Sequence, residues 1–356
     1  MKHLTILNPA AGNYSPREHD RIARALSGLE GKVIATPDLP SLDSELRRHQ
    51  TYQPDILGIG GGDGTVSRTL TKIKEIWSYI PEYIATYALG TMNNVAIPTA
   101  GTDGLIDTMK RYVRIGKTKP VQLAQRIKEI VRSEEEFKTE TLAPLNINGQ
   151  WGFNAGFGMT ARLVWMYYGR TVEKYIEVQQ GLQRISQGGY DITVNRLAPE
   201  KQEKSGTLRA AKTALDCVGA LCRPSSPMNQ FFNMPLEADI YIDGQMIHFP
   251  QFPTGIYIAA YEQQNIGVLK GIPLPRARAV PGQMEVMVSF AAMKDVLRSL
   301  PAIMRGKPMH KTEYIQAREL KLKSGQVMIG QVDGEFVFGK EFVIRPDEPL
   351  KFISMR

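Results

Sequence analysis

With 356 residues, 42% of them hydrophobic, the chain is long enough for two packed domains and too apolar for a disordered polymer. Forty-four Lys and Arg against 36 Asp and Glu leave a charge of +8, which suits an acidic partner such as a nucleotide or an anionic membrane. The excess is modest and forms no long basic run, so nucleic acid is set aside as a partner.

Residues 1–118 alternate between strand-like and helix-like patterns. An apolar run from Leu4 to Leu7 stops at Asn8-Pro9 and is too short for a signal peptide. Helix-compatible spacing follows through Ile22, Ala25, Leu26 and Leu29. A strand is expected over Lys32 to Ala35 and a helix over Leu42 to His49. Asp55 to Ile59 reads as a third strand, Val66 to Ile80 as a helix and Ile84 to Leu89 as a fourth strand. This alternation predicts a doubly wound α/β domain, whose ligands sit at the carboxyl ends of parallel strands.

From about residue 119 to 341 short strand patterns dominate: Pro144 to Ile147, Asp191 to Val194, Leu236 to Ile242, Gly255 to Ala260, Met284 to Phe290, Leu320 to Lys323 and Val327 to Val332. Asn148-Gly149, Asp243-Gly244 and Asp333-Gly334 are hairpin signals, and the whole predicts a β-sandwich domain. Three helices are expected within it, over Ala161 to Ile185, Leu208 to Leu221 and Met293 to Met304. Cys217 and Cys222 are the two cysteines and staple nothing, which fits a reducing cytoplasm. The five histidines, His3, His19, His49, His248 and His310, lie singly and read as surface or packing residues. No run approaches the roughly 18 apolar residues of a membrane span, so work on a membrane would be done from its surface.

The chemistry concentrates in three loops. The glycines at 60, 61, 62 and 64 allow an anion to approach backbone N–H groups, and the helix expected from Val66 would aim its unpaired donors at the same place, with Thr65 as its cap. The loop lacks the lysine of a P-loop, and it fits a dinucleotide fingerprint only with Asp63 at the last glycine position. Asn8 to Gly12 after the first strand and Leu89 to Ala96 after the fourth put small or amide side chains on the same rim.

Asn-Pro-x-x-Gly at 8–12, Gly-Gly-Asp-Gly-Thr at 61–65, Gly-Thr-x-Asn at 90–93 and Asp-Gly-Glu at 333–335 occur in that order. Together they resemble the diacylglycerol kinase catalytic-domain family, which includes bacterial lipid kinases and the sphingosine and ceramide kinases. The second motif alone is shared with NAD kinases and phosphofructokinases. The resemblance implies an NAD kinase-like α/β domain followed by a β-sandwich, and ATP-dependent, Mg²⁺-assisted phosphorylation of a lipid hydroxyl. It also implies that the last strand, within 342–356, returns to the first domain. Carried over, Asn8, Pro9, Gly12, Thr36, Gly61, Gly62, Asp63, Gly64, Thr65, Gly90, Thr91 and Asn93 would line the ATP phosphates and ribose, with Ser67 and Arg68 extending that surface.

Asp333-Gly334 alone is a hairpin turn; with the resemblance, Asp333 and Glu335 become acids facing the γ-phosphate. Phosphoryl transfer needs charge neutralisation and a group to accept the hydroxyl proton. The reading assigns Asp333 as proton acceptor, with Asp63 and Glu335 organising Mg²⁺ and the acceptor; the roles of Asp63 and Asp333 are exchangeable. Several family acids are absent: Ser67-Arg68 stands for an Asn-Glu pair, Asn94 and Thr160 each replace an acid, and Val280-Pro281-Gly282 replaces Asp-Asp-Gly. The structural metal site of some bacterial members is therefore not carried over, and no metal-ligand set is identified. Arg68, read as lying in the first turn of its helix, either reaches phosphate or pairs with a nearby carboxylate.

The partners expected are the lipid substrate and an anionic membrane surface, with a homodimer left open. Docking candidates are 208–224, the pair Phe231-Phe232, and the basic stretch 305–311 with Lys294 and Arg298. The location expected is cytoplasmic, peripheral at the inner membrane surface. Two other readings remain: an NAD kinase-like phosphotransferase, and a non-catalytic nucleotide- or lipid-binding protein that has lost acids.

Overall fold

The computed structural model describes residues 1–90, 120–187, 225–260, 263–266, 269–273, 282–303 and 307–354, with 213, 215, 219 and 280 as single positions. The expected strand at 191–194, nearly all of the expected helix at 208–221, both cysteines, Thr91, Asn93, Asn94 and Pro281 lie outside the described residues. The chain divides into one unit of 1–144, 263–272 and 348–356, and another of 145–262 and 273–347. The first division falls at Pro144, beyond the 118/119 boundary expected from the sequence.

The first unit is a six-stranded sheet. Its parallel strands are β1 (His3–Leu7), β2 (Gly31–Ala35), β3 (Ile56–Gly61) and β4 (Tyr83–Ala88). The order is β2-β1-β3-β4, continued by β18 (Leu350–Ile353), parallel to β4, and β5 (Thr139–Leu142), antiparallel to β18. The returning segment is thus only 350–353; Phe342, expected to return with it, stays in the second unit. Helix α1 (Pro16–Leu26) and a helix over 120–133, α4, share a core with Leu7, Ile56, Tyr87 and Leu89. Helices α2 (Leu39–Arg48) and α3 (Asp63–Ile76) pack on each other, and α3 packs on β3. Trp77 Nε1 ties them by donating to the Leu46 carbonyl at 2.9 Å. Of the histidines, His3 and His49 are buried packing residues, and burial pushes the His3 pKa down.

A short ribbon, β12 (Gln263–Ile266) with β13 (Leu269–Pro273), stands as its own two-stranded sheet. The second unit is a ten-stranded antiparallel sheet. Its strands are β6 (Leu145–Ile147), β7 (Gln150–Gly152), β8 (Asn154–Gly158), β9 (Asp239–Ile242), β10 (Gln245–Met246), β11 (Gly255–Ala259), β14 (Met284–Ser289), β15 (Thr312–Ala317), β16 (Leu320–Val332) and β17 (Glu335–Pro346). The two strands read at 320–323 and 327–332 are one long strand broken by an irregularity between Lys323 and Met328. Its first half pairs β9 and its second half pairs β8. The network therefore wraps one apolar core that draws Ala155, Ile240, Ile258, Val286, Leu322, Val332 and Phe342 from six strands.

Outside that core lies a layer of helices: α5 (Met159–Tyr167), α6 (Val172–Gln187), α7 (Pro227–Asn233) and α8 (Met293–Ile303). The helix expected over 161–185 is two helices, because Gly169 takes the left-handed φ of +73° between them. Trp165, Tyr175, Phe231, Phe232 and Met293 pack against Val327, Ile329, Phe336 and Phe338. This corrects the reading of Phe231-Phe232 as a membrane contact: they are 1% and 0% exposed. Residues 304–306 of the basic stretch lie outside the described residues, and Lys311 pairs with Asp295 at 3.2 Å.

Phe232→Ala leaves a cavity at the centre of this aromatic cluster. It is expected to lower the unfolding free energy by about 3–5 kcal/mol, measured by urea titration of the full chain.

Candidate active site

The β1 loop is built on Asn8. Its backbone N–H donates to the Gly60 carbonyl at 2.8 Å, which joins the ends of β1 and β3. Its side chain works in both directions. Oδ1 accepts from the Ala10 N–H at 2.9 Å and folds the Asn-Pro-Ala-Ala-Gly turn, while Nδ2 donates to Thr65 Oγ1 at 3.0 Å. Asn13 then reaches the third loop, donating from its N–H to the Leu89 carbonyl at 2.9 Å and from Nδ2 to the Gly90 carbonyl at 2.8 Å. Leu89 N–H donates to the Gly61 carbonyl at 3.1 Å. The three loops expected on one rim are thus hydrogen-bonded to one another, as far as Gly90. Thr36 closes the set from the end of β2, donating its N–H to the Leu7 carbonyl at 2.9 Å.

Helix α3 begins at Asp63, three residues before the expected start, with Gly62 at the N-cap and no side-chain cap. Thr65 is therefore not the cap; its hydroxyl oxygen is the acceptor for Asn8. Asp63 is 7% exposed and lies in the first turn, where the positive end of the helix favours a carboxylate. Arg68 falls in the second turn, not in the first turn expected from a start at Val66. Ser67 is fully buried, and its hydroxyl donates within the helix to the Gly64 carbonyl at 3.3 Å. Pro9 is half-buried and Gly12 exposed on the β1 loop. Helix α3 starts without a side-chain cap, and Gly62 keeps the approach to its backbone N–H groups open: a Cβ there would stand in ordinary contact, 3.4 Å from Gly90 Cα. These features fit a phosphate chain. Among the described residues no group of three or more His, Cys, Asp or Glu clusters as metal ligands.

In the second unit Asp333 opens the two-residue loop between β16 and β17, with Val332 facing Glu335 across the turn. Positive φ at Asp333 (+50°) and Gly334 (+83°) is the type I′ geometry that the dipeptide predicts. The carboxylate of Asp333 is buried, at 8% exposure, in a net of donors. Phe153 N–H donates to both of its oxygens at 3.1 Å, Asn154 N–H to Oδ1 at 3.0 Å and Asn154 Nδ2 to Oδ1 at 2.8 Å. Gln331 extends the net, donating from Nε2 to Asn154 Oδ1 at 3.2 Å and accepting from Gly334 N–H at 2.9 Å. Asn154 and Gln331 are the residues that sequence reading missed; each looks like an ordinary strand amide until the registers align them with Asp333. Glu335 is half-buried at the first position of β17.

Thr160, at a family acid position, is structural. Its hydroxyl lies 2.8 Å from the Phe157 carbonyl and 2.9 Å from the Ile256 carbonyl, locking the start of α5 to the sheet. Buried Arg162 donates from Nη2 to the carbonyls of Met234 and Thr254, and burial pulls its pKa down to about 10.

Residues 2–126 match the family model described as the diacylglycerol kinase catalytic domain. No curated protein matches the sequence. A solved Bacillus anthracis protein named a "putative diacylglycerol kinase" superposes with a TM-score of 0.60 at 14% identity, covering 99% of this chain and 97% of that one. A second protein of that organism, named a diacylglycerol kinase, superposes with a TM-score of 0.54 at 13% identity, covering 99% and 96%. At such identities these two establish the fold alone. Residues 2–126 are thus similar to the diacylglycerol kinase catalytic domain, both by the family model and by the motifs of the rim.

Proposed function

We propose that the protein is an ATP-dependent lipid kinase that phosphorylates a hydroxyl of diacylglycerol or a related lipid. The observation that carries the reading is the rim of the first unit, where the turns after β1, β3 and β4 are bonded into one surface around an uncapped helix start. The phosphates of ATP would lie against the N–H groups opening α3, beside Asn8, Gly62, Gly64 and Thr65. Thr65 is aligned for this by Asn8 Nδ2, which takes an acceptor lone pair and leaves the Thr65 hydroxyl hydrogen to donate.

The transfer requires neutralisation of phosphate charge and removal of one proton from the acceptor hydroxyl. Bound Mg²⁺ would supply the first, with Asp63 assigned to organise it and Glu335 assigned to the acceptor hydroxyl. Asp333 is assigned as the proton acceptor. Its rigid seat supports that role, because a base held by Phe153 and Asn154 loses no rotamer freedom when the acceptor arrives. A lipid acceptor brings the protein to a membrane surface, and among the described residues no helix is long and apolar enough to cross one.

The assignment is tested with radiolabelled ATP and a panel of diacylglycerol, sphingoid base, ceramide and NAD. A labelled lipid product is expected; labelled NAD, or no product at all, overturns the reading. Asp63→Asn and Asp333→Asn are each expected to reduce turnover by at least about a hundredfold, the scale of a lost general base. The Asp333 pair of variants separates chemistry from folding. Asp333→Asn keeps an oxygen at the Oδ1 position and stays folded, while Asp333→Ala strands buried N–H donors and is expected to lower stability by about 2–3 kcal/mol, read by urea titration.

A further inference from the structure

The break between α5 and α6 builds a pocket that the proposed transfer does not use. Helix α5 ends in two bonds around a left-handed glycine: Gly169 N–H donates to the Met166 carbonyl at 2.8 Å and Arg170 N–H to the Trp165 carbonyl at 3.4 Å. Such ends usually close with an apolar contact between the residue after the glycine and one a turn back in the helix. Here the contact is cationic. The Arg170 guanidinium lies 4.7 Å from the centre of the Trp165 ring and 5.3 Å from that of Phe336. Trp165 is itself fixed, fully buried and donating from Nε1 to the Thr171 carbonyl at 2.9 Å.

Stacking therefore holds Arg170 in place without a carboxylate. Among the described residues its guanidinium makes no ion pair and no hydrogen bond. It borders a cavity of about 380 Å³ also lined by Met166, Thr171, Glu173, Ser226 and Met228. That volume lies within the range of about 300–1,000 Å³ typical of small-ligand sites. Glu173, the lining acid, does not neutralise the cation. Its exposed carboxylate turns back to its own N–H and to the Thr171 hydroxyl, which hold its pKa below the usual carboxylate range. Ser226 Oγ accepts from Asn229 N–H at 3.1 Å, so its O–H remains to donate into the cavity.

A guanidinium held over aromatic rings keeps its planar fork of donors, which matches the oxygens of a phosphate group. We propose that this pocket is a phosphate-binding site of the second unit, taking the phosphate of a lipid headgroup or of a soluble phosphate ester. The site is independent of phosphoryl transfer and does not rest on it.

The full chain is titrated with vesicles of phosphatidylcholine carrying phosphatidic acid, with phosphatidylcholine vesicles alone, and with inorganic phosphate followed by thermal shift. Binding to at least one phosphate-bearing probe beyond that to phosphatidylcholine is expected, and Arg170→Ala should weaken it about tenfold, the scale of one charge-assisted contact. Arg170→Lys should fall between, and Arg184→Ala, which removes an exposed charge from the same helical layer, should bind as wild type. A response confined to the vesicles assigns the pocket to a headgroup, and a response to inorganic phosphate alone assigns it to a soluble ester. Equal binding by wild type and Arg170→Ala for every probe, or an equal loss in Arg184→Ala, overturns the site. Arg170→Gln serves the same comparison if Arg170→Ala melts early.

Discussion

Leu7 and Leu89 occupy the room that Gly60 leaves in the middle of the first sheet, and the rim above them depends on that close approach. A Cβ at Gly60 would run into both leucine side chains, and one at Gly58 would run into Thr5 and Tyr87. The glycine run thus has two separate tasks. Strand β3 continues through Gly61, so the early glycines let neighbouring side chains close over the strand; only Gly62 and Gly64 remain to shape the anion-facing turn. Because β1 lies flush against β3, Asn8 N–H meets the Gly60 carbonyl and its amide reaches Thr65. Sheet packing and site geometry are set by the same few residues.

That arrangement explains a carboxylate in the centre of a glycine-rich loop. Asp63 stands in the first turn of α3, where the aligned peptide dipoles carry about half a positive charge and favour an acid by roughly 0.3–1 kcal/mol. Its charge is balanced by the helix before any ligand arrives. Asp333 meets the same problem in another way, through N–H donors from Phe153 and Asn154. One acid answers to a helix field, the other to a cradle of directed bonds.

The sequence discloses most of this where periodicity and turn chemistry are local. The βα alternation, the three loops and the Asp333-Gly334 hairpin are all legible, because strand period and positive φ leave direct marks on composition. What is not legible depends on the rest of the fold. The start of α3 is hidden because Gly62 and Gly64 are poor helix residues, so propensity points to Val66 although packing extends the helix to Asp63. The pair Phe231-Phe232 reads equally well as core or as membrane contact, and only the aromatic cluster around it decides. The returning edge of the first sheet is confined to Leu350–Ile353, since β17 runs on to Pro346 in the second unit. Asn154 has no signal of its own at all; it matters because strand register puts it against Asp333.

The helical layer of the second unit contains two arginines that the fold treats in opposite ways. Arg162 is buried, its Nη2 donors taken by the carbonyls of Met234 and Thr254, and burial lowers its pKa toward 10. It joins α5 to the segments after α7 and before β11, and a ligand could reach it only by breaking those bonds. Arg170 sits eight residues further along, half-exposed, with aromatic faces against its plane instead of acceptors on its edge. Stacking fixes position while leaving hydrogen-bonding capacity unused, whereas carbonyl capture fixes position by consuming it. An arginine required only for structure is adequately held by carbonyl capture, as Arg162 is. Retaining an unpaired guanidinium beside a cavity is instead the arrangement that an oxyanion completes.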